Sequence, residues 1–464
     1  MEYTLQTDAS LYSTSIVILT HNQLVHTQLC IQSIRDYTSD VDYEIIVIDN
    51  ASTDGTREWL HAQPDLIVQE NLINVGFPAG CNQGIQLATR NNILLLNNDT
   101  VVTSKWLKRM TEVLYEDEFT GAVGPITNNC SYYQAIPVSY SSLDEMQQFA
   151  KDIMSDAYGR SEYRLKLVGF CILIKRSVID TIGLLDEQFS PGNFEDDDLS
   201  YRMVQMGYRL KLCRDVFIHH TGSVSFGKEQ SLYHQLLTTN QAKFEKKWGF
   251  NTTYSSFIRY ELLQLLDQHD SSAPLRVLEI GCACGATLLE IKNRFPQAEL
   301  YGIELNPHSS AIAETFAKVQ AMNAEEPLSY PQDFFDYIIL ADVLEHLYDP
   351  WKVLANLRNY LKVGGYVLSS IPNLMHVSAL RSLINGQFTY TDAGLLDRTH
   401  IRFFTLYEIE RMFVNCGFIN RLYSSTQMPI SENDQIWIAS LMKLSIHTEP
   451  TQFNVYQYLV KAEK

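Results

Sequence analysis

EIIVIDNASTDGT, residues 44–56, decides how this chain is read. Ile45 to Ile48 form a short, uninterrupted, β-rich apolar run, the mark of a strand buried on both faces. YEIIVIDN (43–50) as a whole reads as a buried strand, with Asp49 following EIIVI at its carboxyl end. In open parallel sheets, ligands bind beyond the carboxyl ends of the strands. Asp49 therefore lands where a ligand is expected.

Working outward, SIVILT (15–20) is another short apolar run, and HTQLCIQSIRDYT (26–38) has helical period. The alternation continues with DLIVQE (65–70), AGCNQGIQLATR (79–90) and NNILLLNND (91–99). Residues Lys166 to Ile174 read as a strand, Ser200 to Met206 as helix, and Arg209 to Ile218 as strand again. Such alternation implies a parallel α/β sheet covered by helices. Leu232 to Gln268 is helix-prone, and the polar, proline-ending HDSSAP (269–274) marks a boundary near 270.

A second alternating series follows: LRVLEIG (275–281), a helix through Phe295, ELYGIEL (299–305) and a helix through Ala321. Then come FDYIILAD (335–342), a helix through Leu361, GGYVLSSIP (364–372) and a closing strand in FNVYQYLVKA (453–462). The expected fold class is α/β, with two doubly wound units: residues 1–250, a helical linker at 251–271, and residues 272–464. A chain of 464 residues exceeds what one core usually supports.

Acidic and basic side chains number 54 and 36, for a net charge of -18. That balance argues against nucleic-acid binding, which needs a basic footprint. The eight cysteines have no zinc-clip or disulfide spacing, and Cys282 and Cys284 read as small loop-fillers; such thiols suit a reducing cytoplasm. The opening MEYTLQTDAS does not read as a signal peptide, and no apolar run reaches the ~18–20 residues that span a bilayer. A cytoplasmic protein is expected, with at most peripheral contact at the inner face of the cell membrane.

Three acidic clusters end elements of the first half: Asp49, Asp99, and Glu195-Asp196-Asp197-Asp198. Departure of a nucleoside diphosphate puts charge on phosphate oxygen, which a carboxylate-held divalent cation can neutralise. An attacking hydroxyl must lose its proton to a positioned carboxylate. Each acid alone also has a structural use, as a helix cap or a first-turn acid.

The segments SIVILTHN, EIIVIDNASTDGT, NVGFPAGCNQGI, LLLNNDTVV and FEDDDLSYRM occur in order, and over about 12–250 the chain resembles glycosyltransferase family 2, the inverting GT-A transferases. The resemblance implies that Asp49, with Asp54 nearby, contacts the nucleotide. It aligns Asn97-Asn98-Asp99 with the Asp-x-Asp metal motif. Asn stands where the first acid often is, which leaves Asp99 as the main ligand of Mn2+ or Mg2+, with Asn98 beside the cofactor. It makes Asp196 the base, flanked by Glu195 and Asp198, with Arg202 one turn on. Within HHTGSVS (219–225) it puts His220, rather than His219, near the metal.

In the second half, Gly281 and Gly285 lack a Cβ and let backbone approach a ligand closely. Glu304 ends the next strand, where an acid can accept from ribose hydroxyls. A dinucleotide site is the competing reading of this loop. VLEIGCACG, YGIELNP, MNAEEP, FDYIILADVLEHLYDP and LKVGGYVLSSIPN resemble class I S-adenosylmethionine-dependent methyltransferases over about 272–464. The resemblance implies that Glu279, Gly281 and Gly285 line the methionine portion and Glu304 holds the ribose. Asn323 and Ala324 would lie by the adenine, and Asp342 and His346 would face the cleft. Ala283 replaces a glycine usual at that point. His346 and His400, the latter in GLLDRTHIRFFT, are candidate bases, because imidazole titrates near neutral pH.

The two resemblances together imply a bifunctional enzyme. One half would move a sugar from a nucleoside diphosphate sugar to a glycan or lipid-linked saccharide, and the other would methylate a hydroxyl of that same glycan. Two alternatives stand beside this: one half is a non-catalytic binding module, or the methyl acceptor is an unrelated small molecule.

Overall fold

A computed structural model of the chain describes residues 9–222, 230–267, 274–444 and 448–464. Most of MEYTLQTDAS, the boundary near 270 and the GSVS end of HHTGSVS past Gly222 lie outside the described residues. The chain forms two compact units, Met1–Ser256 and Phe257–Lys464.

The first unit is built on β1 (Thr14–Thr20), β2 (Tyr43–Asn50), β3 (Leu66–Asn71), β4 (Asn92–Asn97), β5 (Thr100–Val101), β6 (Thr120–Thr127), β7 (Ser161–Arg164), β8 (Cys171–Lys175) and β9 (Arg209–His220). They join in the order β3-β2-β1-β4-β8-β6-β9-β5, with β7 also on β9. Strands β1 to β4 pair in parallel. The sheet is nonetheless mixed, because β8 runs antiparallel to both β4 and β6. The expected strand over 166–174 is also shorter: pairing starts at Cys171, and residues 165–170 form the loop leading into it.

Burial explains the strand assignments. Ile16, Val17, Ile18, Ile45 to Ile48 and Leu94 are at most 2% exposed, as expected of strands covered on both faces. The helix Leu24–Tyr37 turns Cys30, Ile31 and Ile34 inward, and Trp106–Leu114 turns in Trp106, Met110 and Val113. These side chains share one core with β1, β2 and β4. The parallel order reverses at β1, which pairs with β2 on one side and β4 on the other. A crevice forms at such a reversal, and Asp49 and Asp99 lie at its two strand ends.

The second unit contains β10 (Arg276–Ile280), β11 (Glu299–Glu304), β12 (Lys318–Ala321), β13 (Phe335–Ala341), β14 (Leu361–Pro372), β15 (Ile419–Gln427) and β16 (Val455–Glu463). Their order is β12-β11-β10-β13-β14-β16-β15. The first five are parallel, and β16 inserts antiparallel between β14 and β15. The reversal here falls at β10. One expectation fails: the helix after β11 stops at Ala313, and Lys318–Ala321 is an edge strand.

Candidate functional sites

In the first unit, antiparallel pairing of β5 with β9 sets Thr100 opposite His220 and so carries the imidazole to Asp99. His220 Nε2 lies 3.3 Å from Asp99 Oδ1 and 3.3 Å from Asn97 Nδ2. His220 Nδ1 donates to the Asn129 carbonyl at 2.7 Å, because a carbonyl can only accept, and Phe170 stacks on the ring. A backbone acceptor on one ring nitrogen orients the other toward a metal. Burial works against the Asp99 carboxylate, but hydrogen bonds from His220 and the Gly222 N–H hold its pKa below the ordinary range. Burial likewise works against the His220 cation, and Asp99 outweighs it, so that pKa is raised. The carboxylate suits Mn2+ or Mg2+, and the added imidazole nitrogen favours the transition metal of the two. His219 points elsewhere and pairs with the Tyr140 hydroxyl at 2.6 Å. Asn98 is held by Thr20 and Thr27 through its side-chain amide.

Asp49 is fully buried at the end of β2. Its Oδ2 accepts from Arg57 Nε at 2.7 Å and from Ser52 N–H at 3.1 Å, while Oδ1 has no partner. An orphaned buried carboxylate oxygen at a crevice can accept from a bound water or from a ligand. Asp54 is different, since Leu24 N–H and the Thr56 hydroxyl and N–H occupy its two oxygens. Those bonds outweigh burial and lower its pKa.

The acids 195–198 open the helix Glu195–Gln205, and the structure separates them. Asp198 is 0% exposed and accepts from Arg202 Nε, Trp248 Nε1 and Lys247 Nζ. Asp197 pairs with Lys166 at 2.9 Å. Asp196 remains part-exposed and accepts from Gly169 N–H at 2.7 Å. Burial, with the Asp197 charge, pushes its pKa up to about 6, the range of a carboxylate base. Glu195 is buried with one unpartnered oxygen, and burial beside Asp196 raises its pKa well above the usual value.

In the second unit, Gly281 and Gly285 flank the turn after β10 at φ 69° and 80°. A Cβ on Gly285 would meet the Phe316 ring at 2.8 Å, and one on Gly281 would meet Val343 at 2.9 Å. Ala283, between them, also has positive φ, 48°. Glu279 is buried with one oxygen unpartnered, and burial pushes its pKa to about 8 against the pull of Arg259 and Thr287. Glu304 accepts from Ala283 N–H at 2.7 Å and Asn306 N–H at 2.8 Å, which ties the end of β11 to the glycine turn. Asn323 and Ala324 lie just beyond β12, where Asn323 accepts from Glu325 N–H. Asp342, at φ 53°, is held by Ser370, Gln457 and Arg259. His346 and His400 come together edge to face, with centroids 4.8 Å apart. Burial, then His400, lowers the His346 pKa and favours the neutral ring.

Comparison with known proteins bears directly on these two sites. Residues 15–182 match the family model described as glycosyl transferase family 2, and residues 250–422 match one described as a methyltransferase domain. The chain joins a family 2 glycosyltransferase domain to a methyltransferase domain. Among curated relatives, a low-salt glycan biosynthesis hexosyltransferase of Haloferax volcanii, Agl10, is 26% identical over 41% of this chain and 62% of its own length. Methyltransferase str3 of Strobilurus tenacellus is 25% identical over 30% of this chain and 49% of its own. A ubiquinone biosynthesis O-methyltransferase of Aeromonas salmonicida is 28% identical over 39% and 82%. The chain thus spans about half to three-fifths of the length of the first two of these relatives. Among the described residues, no helix is long and apolar enough to cross a membrane.

Three site residues escape a reading of the sequence. In the glycosyltransferase domain, Arg57 holds Asp49; an arginine eight residues past an acid carries no signal of that contact. In the methyltransferase domain, Arg259 reaches Asp342 at 2.7 Å from before the first strand. Glu345, beside His346, is 1% exposed with neither carboxylate oxygen partnered. Only its place in the LEH turn could have drawn attention to it.

Proposed function

We propose that the glycosyltransferase domain transfers a sugar, with inversion, from a nucleoside diphosphate sugar to a glycan or lipid-linked saccharide. The methyltransferase domain then methylates a hydroxyl of that glycan from S-adenosylmethionine. The observation that carries the first half is the presence, in one unit, of the Asp99–His220 pair and the part-exposed Asp196 with its raised pKa.

A bound Mn2+ or Mg2+ supplies neutralisation of the departing diphosphate. Asp99 and His220 hold it, with Nδ1 of the imidazole fixed by Asn129. The free Oδ1 of Asp49 accepts from the nucleotide, while Arg57 holds Oδ2. Asp196 takes the acceptor proton as the hydroxyl attacks, and Gly169 N–H orients its carboxylate. Asp198 and Glu195 act through position, Asp198 by anchoring the helix to Trp248 and Lys247.

S-adenosylmethionine supplies the methyl group. The turn at Gly281 and Gly285 lets the backbone approach it, Glu279 faces the methionine end and Glu304 the ribose. Each Glu304 oxygen already accepts one backbone N–H and keeps a second lone pair for a ribose hydroxyl. Asn323 and Ala324 border the adenine. Activation of the acceptor hydroxyl falls to the site formed by the His346–His400 pair. Nothing beyond alignment of sulfonium and nucleophile is otherwise required.

Calorimetric titration with S-adenosylmethionine, and separately with UDP-, GDP- and dTDP-sugars plus manganese, tests this reading. Saturable binding of both classes is expected, lost separately in Glu304→Ala and Asp99→Ala. Binding of one class alone overturns the two-reaction reading.

A further inference from the structure

β13 ends in a single tight turn, Leu344–His346, that presents Glu345 and His346 side by side. The loop carrying His400 is stitched to this turn: Ile401 N–H and Arg402 N–H both donate to the Glu345 carbonyl at 3.0 Å. One carboxylate and two imidazoles thereby converge, with ligand atoms within 4.8 Å of one another. Among the described residues, this is the only such group of three.

The protonation pattern of the two rings is set by the backbone. His346 Nδ1 faces the Thr399 carbonyl and His400 Nδ1 faces the Leu395 carbonyl, each at 3.2 Å. A carbonyl only accepts, so both rings carry hydrogen on Nδ1 and present a lone pair on Nε2. Metal-bound histidines show this arrangement. Glu345 supplies an independent sign. Its carboxylate is 1% exposed, and neither oxygen has a hydrogen-bond partner. Two orphaned carboxylate oxygens in a buried site are costly unless a ligand or a proton satisfies them.

We propose that Glu345, His346 and His400 form a binding site for a divalent transition-metal ion of the zinc class in the methyltransferase domain. The donor set, two histidines and one glutamate, is that of three-ligand zinc sites that keep a fourth position open. Bonds of about 2.1 Å at tetrahedral angles put ligand atoms about 3.4 Å apart. Capture therefore draws the side chains together by about 1 Å. His346 is the part-exposed member and marks the side from which the open position is reached. An oxygen bound there loses its proton more readily, so a hydroxyl acceptor would be activated by the ion instead of by a free imidazole. That role rests on the methyl-transfer reading, whereas the binding of the ion does not.

Equilibrium dialysis of the full-length chain against Zn2+, with bound metal measured by elemental analysis, tests the site. A His220→Ala background removes the Asp99–His220 pair from the count. One zinc per chain is expected in that background, and the visible absorption of a Co2+-loaded sample should report nitrogen and oxygen ligation. Loss of an outer-sphere partner alone weakens a metal site by about 10–100-fold, so His400→Gln and Glu345→Gln should each exceed about 100-fold. Near-UV circular dichroism identifies any variant that fails to fold, and the stoichiometry of the His220→Ala chain, in which Glu345, His346 and His400 are intact, decides the question by itself. Absence of zinc and cobalt binding in the folded His220→Ala chain, or binding unchanged in folded His400→Gln, overturns the proposal. S-adenosylmethionine titration of the same samples keeps the two readings apart: zinc without S-adenosylmethionine sinks methyl transfer and leaves the metal site, and the converse sinks only the metal site.

Discussion

His220 Nε2 stands 3.3 Å from Asp99 Oδ1, at the meeting of β5 and β9. At that distance the imidazole and the carboxylate contact each other directly, two donor atoms side by side. Asp99 Oδ2 is separately bonded to Gly222 N–H at 3.0 Å. Asp99→Asn keeps an oxygen for that bond and removes the charge. We expect sugar transfer to fall by about 100-fold or more, as for loss of a charge-stabilising group. Thermal stability should change little. Nucleotide release with manganese present, compared with a melting curve of the same variant, checks both halves.

Asp196 and Asp198 are two residues apart and should respond oppositely. Asp198 is buried among Arg202, Lys247 and Trp248. Asp198→Ala leaves two cations facing a void, and breaking a buried pair costs about 3–5 kcal/mol. Asp196→Asn removes a charge that its acidic neighbours disfavour. It should leave stability within about 1 kcal/mol of the parent, while transfer drops about 100- to 10,000-fold. Urea unfolding and initial rates on the two variants separate the roles, and equal loss of stability in both would refute the assignment.

That contrast also shows what the sequence could carry. The run Glu195 to Asp198 announces a helix start and a cluster of acids, and both are present. Which acid stays open depends on Trp248 and Lys247, some fifty residues on, and no local pattern encodes that contact. The strand–helix alternation is legible because buried parallel strands are continuous apolar runs. The antiparallel sense of β8 is not, since a run such as CILIK is equally apolar in either direction. Lys318–Ala321 reads as helix because four half-exposed edge residues are too few to show a period of two. Asp49, Asp99 and Glu304 stand out by their place at strand ends; Arg57, Arg259 and Glu345 obey no such rule.

The raised pKa of Asp196, about 6, ties rate and stability to pH in opposite senses. A base must be ionised, so sugar transfer should climb as pH rises through about 6 and then level off. For stability, the folded pKa lies above the ordinary 3.8. The contribution of the protonated form is then fully present below the unfolded value and is lost as pH rises through about 6. Asp196→Asn should flatten both profiles over that window. Rates and urea midpoints at about pH 5 and about pH 8 are the measurement. A rate profile in the parent that is flat through about pH 6 would remove Asp196 as the base.

Ala283 gives the last prediction. It sits in the turn between Gly281 and Gly285 at φ 48°, a left-handed conformation that costs an L-residue about 1–2 kcal/mol. Glycine is relieved of that strain, though it has about 0.5–1 kcal/mol more unfolded-state freedom to lose. Ala283→Gly should therefore stabilise the methyltransferase domain by up to about 1 kcal/mol. The Ala283 N–H that bonds Glu304 is backbone and survives the change. S-adenosylmethionine binding should accordingly be retained. A lower urea midpoint in Ala283→Gly would mean that the methyl group packs usefully in the turn and that this packing outweighs the backbone strain.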